Sequence, residues 1–245
     1  MSDQVHDTPA ERRWRPLNRT DRRVIGVLIE KAKTTPDAYP MSLNGLTTGC
    51  NQKNNRDPQM TLDAADVEES IARLRESGAL AEVHSEGRVP KYRHYMKEWL
   101  GVDGTELAVM AELLLRGPQT VGELRGRAAR MAAQELPDLG ALKPVLRSLL
   151  QKQLIVEFSP EGRGQIVSHS LFSDDEQRRL RQHFAAAAAA AAQDTEAATS
   201  RPATAKSAGA DDLMDEIRRE LAALREEMDQ LRQEVSQLQG KGTVA

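Results

Sequence analysis

An unusually polar run, Asn-Gln-Lys-Asn-Asn-Arg, occupies residues 51–56 of this 245-residue chain. Amide and basic side chains are the groups that contact phosphates and base edges in nucleic acids. Asparagine also tolerates the left-handed backbone of tight turns, so the same run suits a turn between two helices. The two interpretations are compatible, and the nucleic-acid interpretation assigns contacts to Lys53, Asn54 and Arg56.

Two other segments carry basic residues that could contact phosphates. Arg88, Lys91 and Arg93 lie in a predicted β-hairpin, and Lys143 and Arg147 lie one turn apart on a predicted helix. Acidic residues dominate the equivalent helix in the first half of the chain, where carboxylates would repel phosphates. A DNA-binding surface would therefore combine the hairpin with the later helix, although solvated helix faces also carry such charges.

The sequence shows no pattern typical of catalysis or of metal binding. The five histidines, at positions 6, 84, 94, 169 and 183, are scattered, and Cys50 is the only cysteine. No His-x-x-x-His or Cys-x-x-Cys pair could hold a metal, and no phosphate loop or nucleophile elbow is present. Cys50 continues an apolar helical stripe, which favours a buried structural thiol over a redox sensor. The sequence thus predicts a protein that is not an enzyme and uses no cofactor or metal.

The overall charge gives no general attraction for nucleic acid. The chain has 34 basic and 37 acidic residues, a formal charge of −3, so any nucleic-acid surface must be a local patch. No apolar stretch is long enough to cross a bilayer, and the N-terminus lacks the apolar run of a signal peptide. We expect a soluble, cytoplasmic protein with no membrane contact and with a disordered N-terminus over residues 1–15.

An internal repeat organises the chain. Residues 76–88 (ESGALAEVHSEGR) align without gaps with residues 151–163 (QKQLIVEFSPEGR), and both stretches end in Glu-Gly-Arg. The apolar positions of the preceding helix recur at the same spacing. Self-similarity of this kind indicates two copies of one structural unit.

The apolar and turn residues of each copy predict three helices followed by two strands. The first copy predicts helices over about 20–33, 42–50 and 63–77, and strands over about 79–84 and 89–95. The second predicts helices over about 104–116, 120–131 and 141–152, and strands near 154–159 and 165–171. Pro144 has no N–H to donate and fits only a first helical turn, which places the start of its helix near 141–143.

Three helices with a two-stranded wing form a winged helix-turn-helix. The predicted fold class is therefore mainly α with small β-wings (α+β). We expect two tandem winged-helix domains, over residues 16–97 and 101–172, each with its own small core.

Two stretches of the chain resemble a known family. LTTGCNQKNNRDP (46–58) and LLLRGPQTVGELRGRAARM (113–131) are similar to the two signatures of the YceH-like family of uncharacterised bacterial proteins. The resemblance covers roughly residues 16–172. It implies two winged-helix domains followed by a C-terminal helical tail, and it implies no activity, ligand or catalytic residue.

The residues that follow the repeat predict a helix, a linker and a coiled coil. Ser173-x-x-Glu176 is a capping box that predicts a helix over 173–192, which runs into a stretch of alanines. The small polar residues 193–210 predict a flexible linker. Residues 211–239 have an apolar residue at every a and d position of a heptad repeat. These residues are Met214, Ile217, Leu221, Leu224, Met228, Leu231, Val235 and Leu238.

The charges that flank this heptad predict the orientation of the coiled coil. Glutamates occupy g positions and arginines occupy e positions, so opposite charges meet in a parallel pair and like charges meet in an antiparallel one. We expect parallel self-association through 211–239, as a dimer or a trimer. The alternative is one amphipathic helix that folds back onto the winged helices.

Together these patterns predict a transcription-regulator-like protein that binds double-stranded DNA and self-associates through its C-terminal coiled coil. The alternative is a non-enzymatic protein–protein interaction adaptor built from tandem winged helices. The acidic helix 63–77 and the small net charge favour this alternative. A small-molecule sensor has only the fold in its favour.

Overall fold

Three helices and three short strands occur twice along the chain, in the same order each time. The computed structural model describes residues 14–83, 89–132 and 134–199. The first half contains α1 (Arg19–Thr34), β1 (Met41–Ser42), α2 (Leu43–Cys50), α3 (Ala64–Glu76), β2 (Leu80–Val83) and β3 (Lys91–His94). A short helix α4 (Met96–Leu100) leads to α5 (Gly104–Arg116), β4 (Gln119–Thr120), α6 (Val121–Ala128), α7 (Leu139–Gln151), β5 (Ile155–Glu157) and β6 (Ile166–His169). The predicted α+β class, with many helices and small antiparallel sheets, is confirmed.

The six strands form two antiparallel sheets with the same topology. Their orders are β1-β3-β2 and β4-β6-β5, so the last strand of each half lies in the centre. In the first sheet Met41 pairs with Tyr92, and in the second Gln119 pairs with Val167. The two-residue strands β1 and β4 were not predicted, because two residues are too few to show an alternating pattern.

Side-chain caps define several helix starts close to the predicted positions. The Asp63 side chain accepts a hydrogen bond from the N–H of Asp66 at the start of α3. A capping box between Thr120 and Glu123 opens α6. At the other end of α3, Gly78 has the positive φ of 76° that a left-handed C-cap requires. These local signals fixed helix positions to within a few residues.

The start of α7 differs from the prediction. This helix begins at Leu139, and Pro144 lies inside it rather than in its first turn. Asp138 is the cause, since its side chain accepts a hydrogen bond from the N–H of Ala141 at 2.9 Å and so caps an earlier start. The helix tolerates Pro144 at the loss of one backbone hydrogen bond.

The prediction of two separate small cores is wrong. One continuous cluster of buried apolar side chains runs through both halves, and the described residues up to Ala188 belong to one compact unit. Helix α1 packs against α5, and α1 is buried on all sides from Asp21 to Glu30. Helix α5 is buried in the same way from Glu106 to Leu115. Helices that are buried all round form the centre of a shared core.

A final helix, α8 (Asp174–Thr199), begins at the predicted capping box between Ser173 and Glu176. It continues through Thr199, into the segment 193–210 that was predicted to be a linker. The predicted disordered segment 1–15 lies outside the described residues except for its last two positions, and the predicted coiled coil 211–239 lies outside them entirely. Within the described ranges, no helix combines the length and the apolarity that crossing a membrane requires.

Candidate functional site

A cleft of about 730 Å³ lies between the start of α6, the outer face of α7 and the turn that joins β5 to β6. We call it the α7 cleft. Basic residues Lys143, Arg147 and Arg163 line it together with the carboxylates Glu157 and Glu161. The structure therefore brings Lys143 and Arg147, predicted from the sequence, together with a third basic residue from the turn.

The local structure of α7 explains why its basic side chains point outward. Leu142, Leu146 and Leu149 are buried, and they lie at the helical spacing that turns one face towards the core. Lys143 and Arg147 occupy the opposite, exposed face, one turn apart. A basic face on an exposed helix beside a basic turn could contact two points of a phosphate backbone.

The charges of the α7 cleft are only loosely engaged. The ammonium of Lys143 lies 3.8 Å from a carboxylate oxygen of Glu161, and both side chains are more than half exposed. Exposed ion pairs at this distance contribute little, so a phosphate could displace Glu161. Leu139, which is 47% exposed, adds an apolar contact at the edge of the cleft.

The equivalent helix of the first half carries the opposite charge. Asp66, Glu68 and Glu69 of α3 are all exposed. Arg73 on the same helix is engaged, since its guanidinium lies 2.9 Å from Asp21 and 2.9 Å from Glu69. The two halves thus share a topology and differ in the charge of their third helix.

The basic residues of the first hairpin lie on strand β3. Lys91 is partly buried opposite Val83, and Arg93 is exposed with its guanidinium 5.1 Å from the ring centre of Tyr95. Arg88, the third residue predicted there, lies outside the described residues. Neither Lys91 nor Arg93 lines the α7 cleft.

The polar run 51–56 is mainly a structural turn. The amide of Asn51 bridges the backbone of Leu62, donating to its C=O at 2.7 Å and accepting from its N–H at 2.8 Å. Asn55 has the left-handed φ of 56° that asparagine tolerates in turns. Of the three predicted contacts in this run, Lys53 and Asn54 are exposed and Arg56 is buried.

Arg56 forms a buried ion pair with Glu30 of α1. Their charged groups are 2.6 Å apart, and Arg56 also donates to the C=O of Gly49 at 3.0 Å. Burial raises the pKa of Glu30, but the hydrogen bond and the charge of Arg56 outweigh it and leave this pKa below its ordinary value. With its side chain fully buried, Arg56 is engaged inside the protein and is not exposed for a phosphate.

The same ion cluster joins the two halves. Arg130, after α6, lies 3.4 Å from both Glu30 and Glu112 of α5, and the amide of Asn55 also contacts both carboxylates. Burial raises the pKa of Glu112 above its ordinary value. Its arginine neighbours, at 3.4 and 4.0 Å, are more distant than the arginine partner of Glu30 and do not outweigh the effect of burial. This cluster therefore holds the polar turn and α6 against the two central helices.

The sequence profile of a family described as "Protein of unknown function, DUF480" matches residues 17–163 of this chain. The chain belongs to the DUF480 family. It is 47% identical over 204 residues to a UPF0502 protein of Rhodopirellula baltica, an alignment that covers 83% of this chain and 85% of the relative. A UPF0502 protein of Geotalea daltonii is 52% identical over 136 residues, which cover 56% of this chain and 62% of that relative.

These matches confirm the predicted membership of an uncharacterised bacterial family, while the narrower YceH-like assignment stays a prediction. Most of the DUF480 match covers the two repeated halves, including the polar run and α7. The α7 cleft extends just beyond it, to Gln165.

Cys50 of the DUF480 chain is a core residue. Its side chain is fully buried, and burial raises the pKa of the thiol to about 12, although Arg23 and Arg56 lower it in part. A thiol with such a pKa stays protonated and unreactive at neutral pH. Among the described residues, no group of three or more His, Cys, Asp or Glu side chains is placed to hold a metal ion.

Proposed function

We propose that this chain is a DNA-binding, transcription-regulator-like protein that is not an enzyme and whose two halves are winged helices. The order of elements supports the architecture, because each half has a helix, a short strand, two helices, and two strands that pair with each other. The central position of the last strand in each sheet fits the same architecture.

The α7 cleft is the observation that carries the DNA-binding proposal. In a helix-turn-helix, the second helix of the pair enters the major groove, and α7 is that helix in the second half. Its exposed face carries Lys143 and Arg147, and Arg163 lies on the neighbouring turn. The first half would contribute Lys91 and Arg93 from its strand, together with Lys53 and Asn54 from its polar run, and not its acidic helix α3.

Charge reversal on α7 tests this proposal. In the Lys143→Glu/Arg147→Glu variant, we expect weaker binding of a fluorescent duplex in an anisotropy titration. Loss of two phosphate contacts should also flatten the slope of log K against log salt by about 2. The matched control is Arg178→Glu/Arg181→Glu on α8, which changes the total charge equally at exposed sites outside the cleft. If both variants bind like the unmodified chain, α7 is not the DNA contact.

A protein–protein adaptor is the second candidate. The exposed carboxylates of α3, which include Asp66, Glu68 and Glu69, favour it because they would repel DNA and attract a basic partner. The anisotropy titration separates the two functions. A chain that binds no duplex at low salt would support the adaptor.

We also propose that residues 211–239 form a parallel coiled coil. The support is the heptad of apolar residues and the opposite charges at its e and g positions. Light scattering should give an oligomer for the full chain and a monomer for a chain truncated after residue 195. If the full chain and the truncated chain are both monomeric at tens of micromolar, this proposal is contradicted.

A further inference from the structure

A second cleft, of about 540 Å³, lies where the start of α1, the turn after α5 and the first part of α8 meet. We call it the arginine cleft. Five of its described lining residues are arginines and two are carboxylates, in a chain whose formal charge is −3. The arginines are Arg19, Arg22, Arg23, Arg116 and Arg179. Its volume falls within the range of pockets that hold small molecules.

The charge of Arg22 in this cleft is paired with a carboxylate, whereas the charge of Arg23 has no carboxylate within ion-pair distance among the described residues. Arg22 makes a two-point ion pair with Glu176, at 2.8 and 3.0 Å. Arg23 is 2% exposed and, among the described residues, donates only to backbone carbonyls, those of Cys50 at 2.9 Å and Pro58 at 2.6 Å. The Nε of Arg23 has no hydrogen-bond partner among the described residues. The cleft therefore contains a buried cation that has no carboxylate within ion-pair distance in the part of the chain that the structure describes, although Asp57 also lines the cleft.

Two other residues that line this cleft each carry a buried nitrogen without a partner among the described residues. One is Nδ1 of His169, a residue that is 1% exposed and stacks on Phe172 at 3.9 Å between ring centres. The other is Nε of Arg116, whose nearest carboxylate, that of Glu112, is 4.0 Å away and beyond hydrogen-bond range. Buried polar groups in proteins nearly always have partners, so three unpartnered nitrogens on residues that line one cleft point to a ligand.

The rest of the lining indicates what kind of ligand would fit. The side chains of Leu114, Phe172, Leu180 and Phe184 provide an apolar wall beside the arginines. An inorganic ion would leave this wall without a contact, whereas an apolar molecule would leave the arginines unpaired. The lining matches a molecule that has both an oxyanion and an apolar group.

We propose that the arginine cleft binds a small organic anion, in which a carboxylate or a phosphate monoester is attached to an aromatic or short aliphatic group. The oxyanion accepts hydrogen bonds from Arg23 and Arg116, and the exposed Arg179 adds a third positive charge. The apolar group packs against Phe172 and Phe184. Because lining residues come from both halves and from α8, the bound anion stabilises the junction of these elements. This proposal does not depend on DNA binding.

Calorimetric titration of the full chain with four probes tests the ligand class. The probes are phenyl phosphate, benzoate, inorganic phosphate and phenol. We expect phenyl phosphate or benzoate to bind at least about tenfold more tightly than inorganic phosphate and than phenol, because only the organic anions satisfy both parts of the cleft. Equal affinity for inorganic phosphate and phenyl phosphate would overturn the proposal, and so would the absence of binding by both organic anions at millimolar concentration.

Two variants of equal charge locate the binding. Arg116→Gln/Arg179→Gln should weaken the better organic anion at least about tenfold. Arg178→Gln/Arg181→Gln, at exposed sites outside the cleft, should leave its affinity unchanged. The thermal midpoint measured without ligand shows whether each variant is folded. If the Arg116→Gln/Arg179→Gln variant does not fold, the single variant Arg179→Gln replaces it in the titration. Unchanged affinity in the cleft variant would overturn the proposal. Binding of duplex DNA is measured separately, so the two proposals fail independently.

Discussion

Replacement of Arg56 by methionine removes the cation from the buried ion pair that links the polar turn to α1. The pair has a separation of 2.6 Å, and its side chains are 0% and 5% exposed, so the carboxylate of Glu30 would stay buried without its nearest partner. Arg130 compensates only in part, since it lies 3.4 Å from Glu30 and is half-exposed. Loss of one partner from a buried pair costs about 3–5 kcal/mol of unfolding free energy. For a unit of this size, the thermal midpoint should fall by about 6–20 °C.

Denaturant unfolding of Arg56→Met at two pH values measures this cost. In the unmodified chain the pKa of folded Glu30 is lowered, so ionised Glu30 stabilises the fold above its ordinary pKa, and this contribution is lost as pH falls. In the variant, only the weaker contacts of Asn55 and Arg130 oppose the effect of burial, so the pKa of Glu30 should rise and protonation should relieve part of the penalty as pH falls. The loss of stability should therefore be smaller near pH 5 than near pH 8.

The exposed pair on α8 provides the matched control for this prediction. Arg178 is 73% exposed and pairs with Asp175, so Arg178→Met should change stability by less than about 1 kcal/mol. A loss below about 1 kcal/mol in Arg56→Met, or a loss that does not change with pH, would refute the assignment of Arg56 as a buried structural cation.

Three further predictions concern packing, thiol reactivity and acid stability. Gly26→Ala should destabilise by about 1–3 kcal/mol, because the new methyl group would lie 2.9 Å from Leu115, whereas Gly126→Ala in open space should stabilise by about 0.5–1 kcal/mol in denaturant titrations. Cys50 should react with a thiol reagent at pH 8 only after unfolding, and rapid labelling of the native chain would contradict its burial. Glu176→Gln should lower the thermal midpoint at pH 7. The difference in midpoint from the unmodified chain should shrink as pH falls from about 4.5 to about 2, because Arg22 lowers the pKa of Glu176 to about 2. A difference that does not change with pH would count against the ion pair of Arg22 and Glu176.

Local signals in the sequence were enough to predict the repeat and the helices other than α4, whose five residues are too few to show a helical pattern. Asp63, Thr120 and Ser173 each place a side-chain oxygen at a helix start, which depends only on residues within one turn. The start of α7 was misplaced, because Pro144 was weighed and the cap at Asp138 was not. Both signals are local, so the sequence contained the information for the earlier start.

Contacts between distant residues could not be predicted in the same way. The shared core depends on how α1 packs against α5, and a periodic apolar pattern does not identify the helix that covers it. Arg56 was predicted as a surface contact because its partner Glu30 lies 26 residues away in sequence. The arginine cleft brings Arg23, Arg116 and His169 together from three separate elements. No spacing rule connects such residues before the fold is known.

Retention of duplex DNA by the full chain at two salt concentrations shows whether the protein binds DNA as the α7 cleft predicts. A gel-shift titration with fragments of the source genome should show binding in about 50 mM salt. The three cations of the α7 cleft, Lys143, Arg147 and Arg163, predict that affinity falls at least about 40-fold when the salt is raised to about 200 mM, and contacts from the first half would increase this factor. A chain that retards no fragment at tens of micromolar in the lower salt would contradict the claim that the α7 cleft binds DNA.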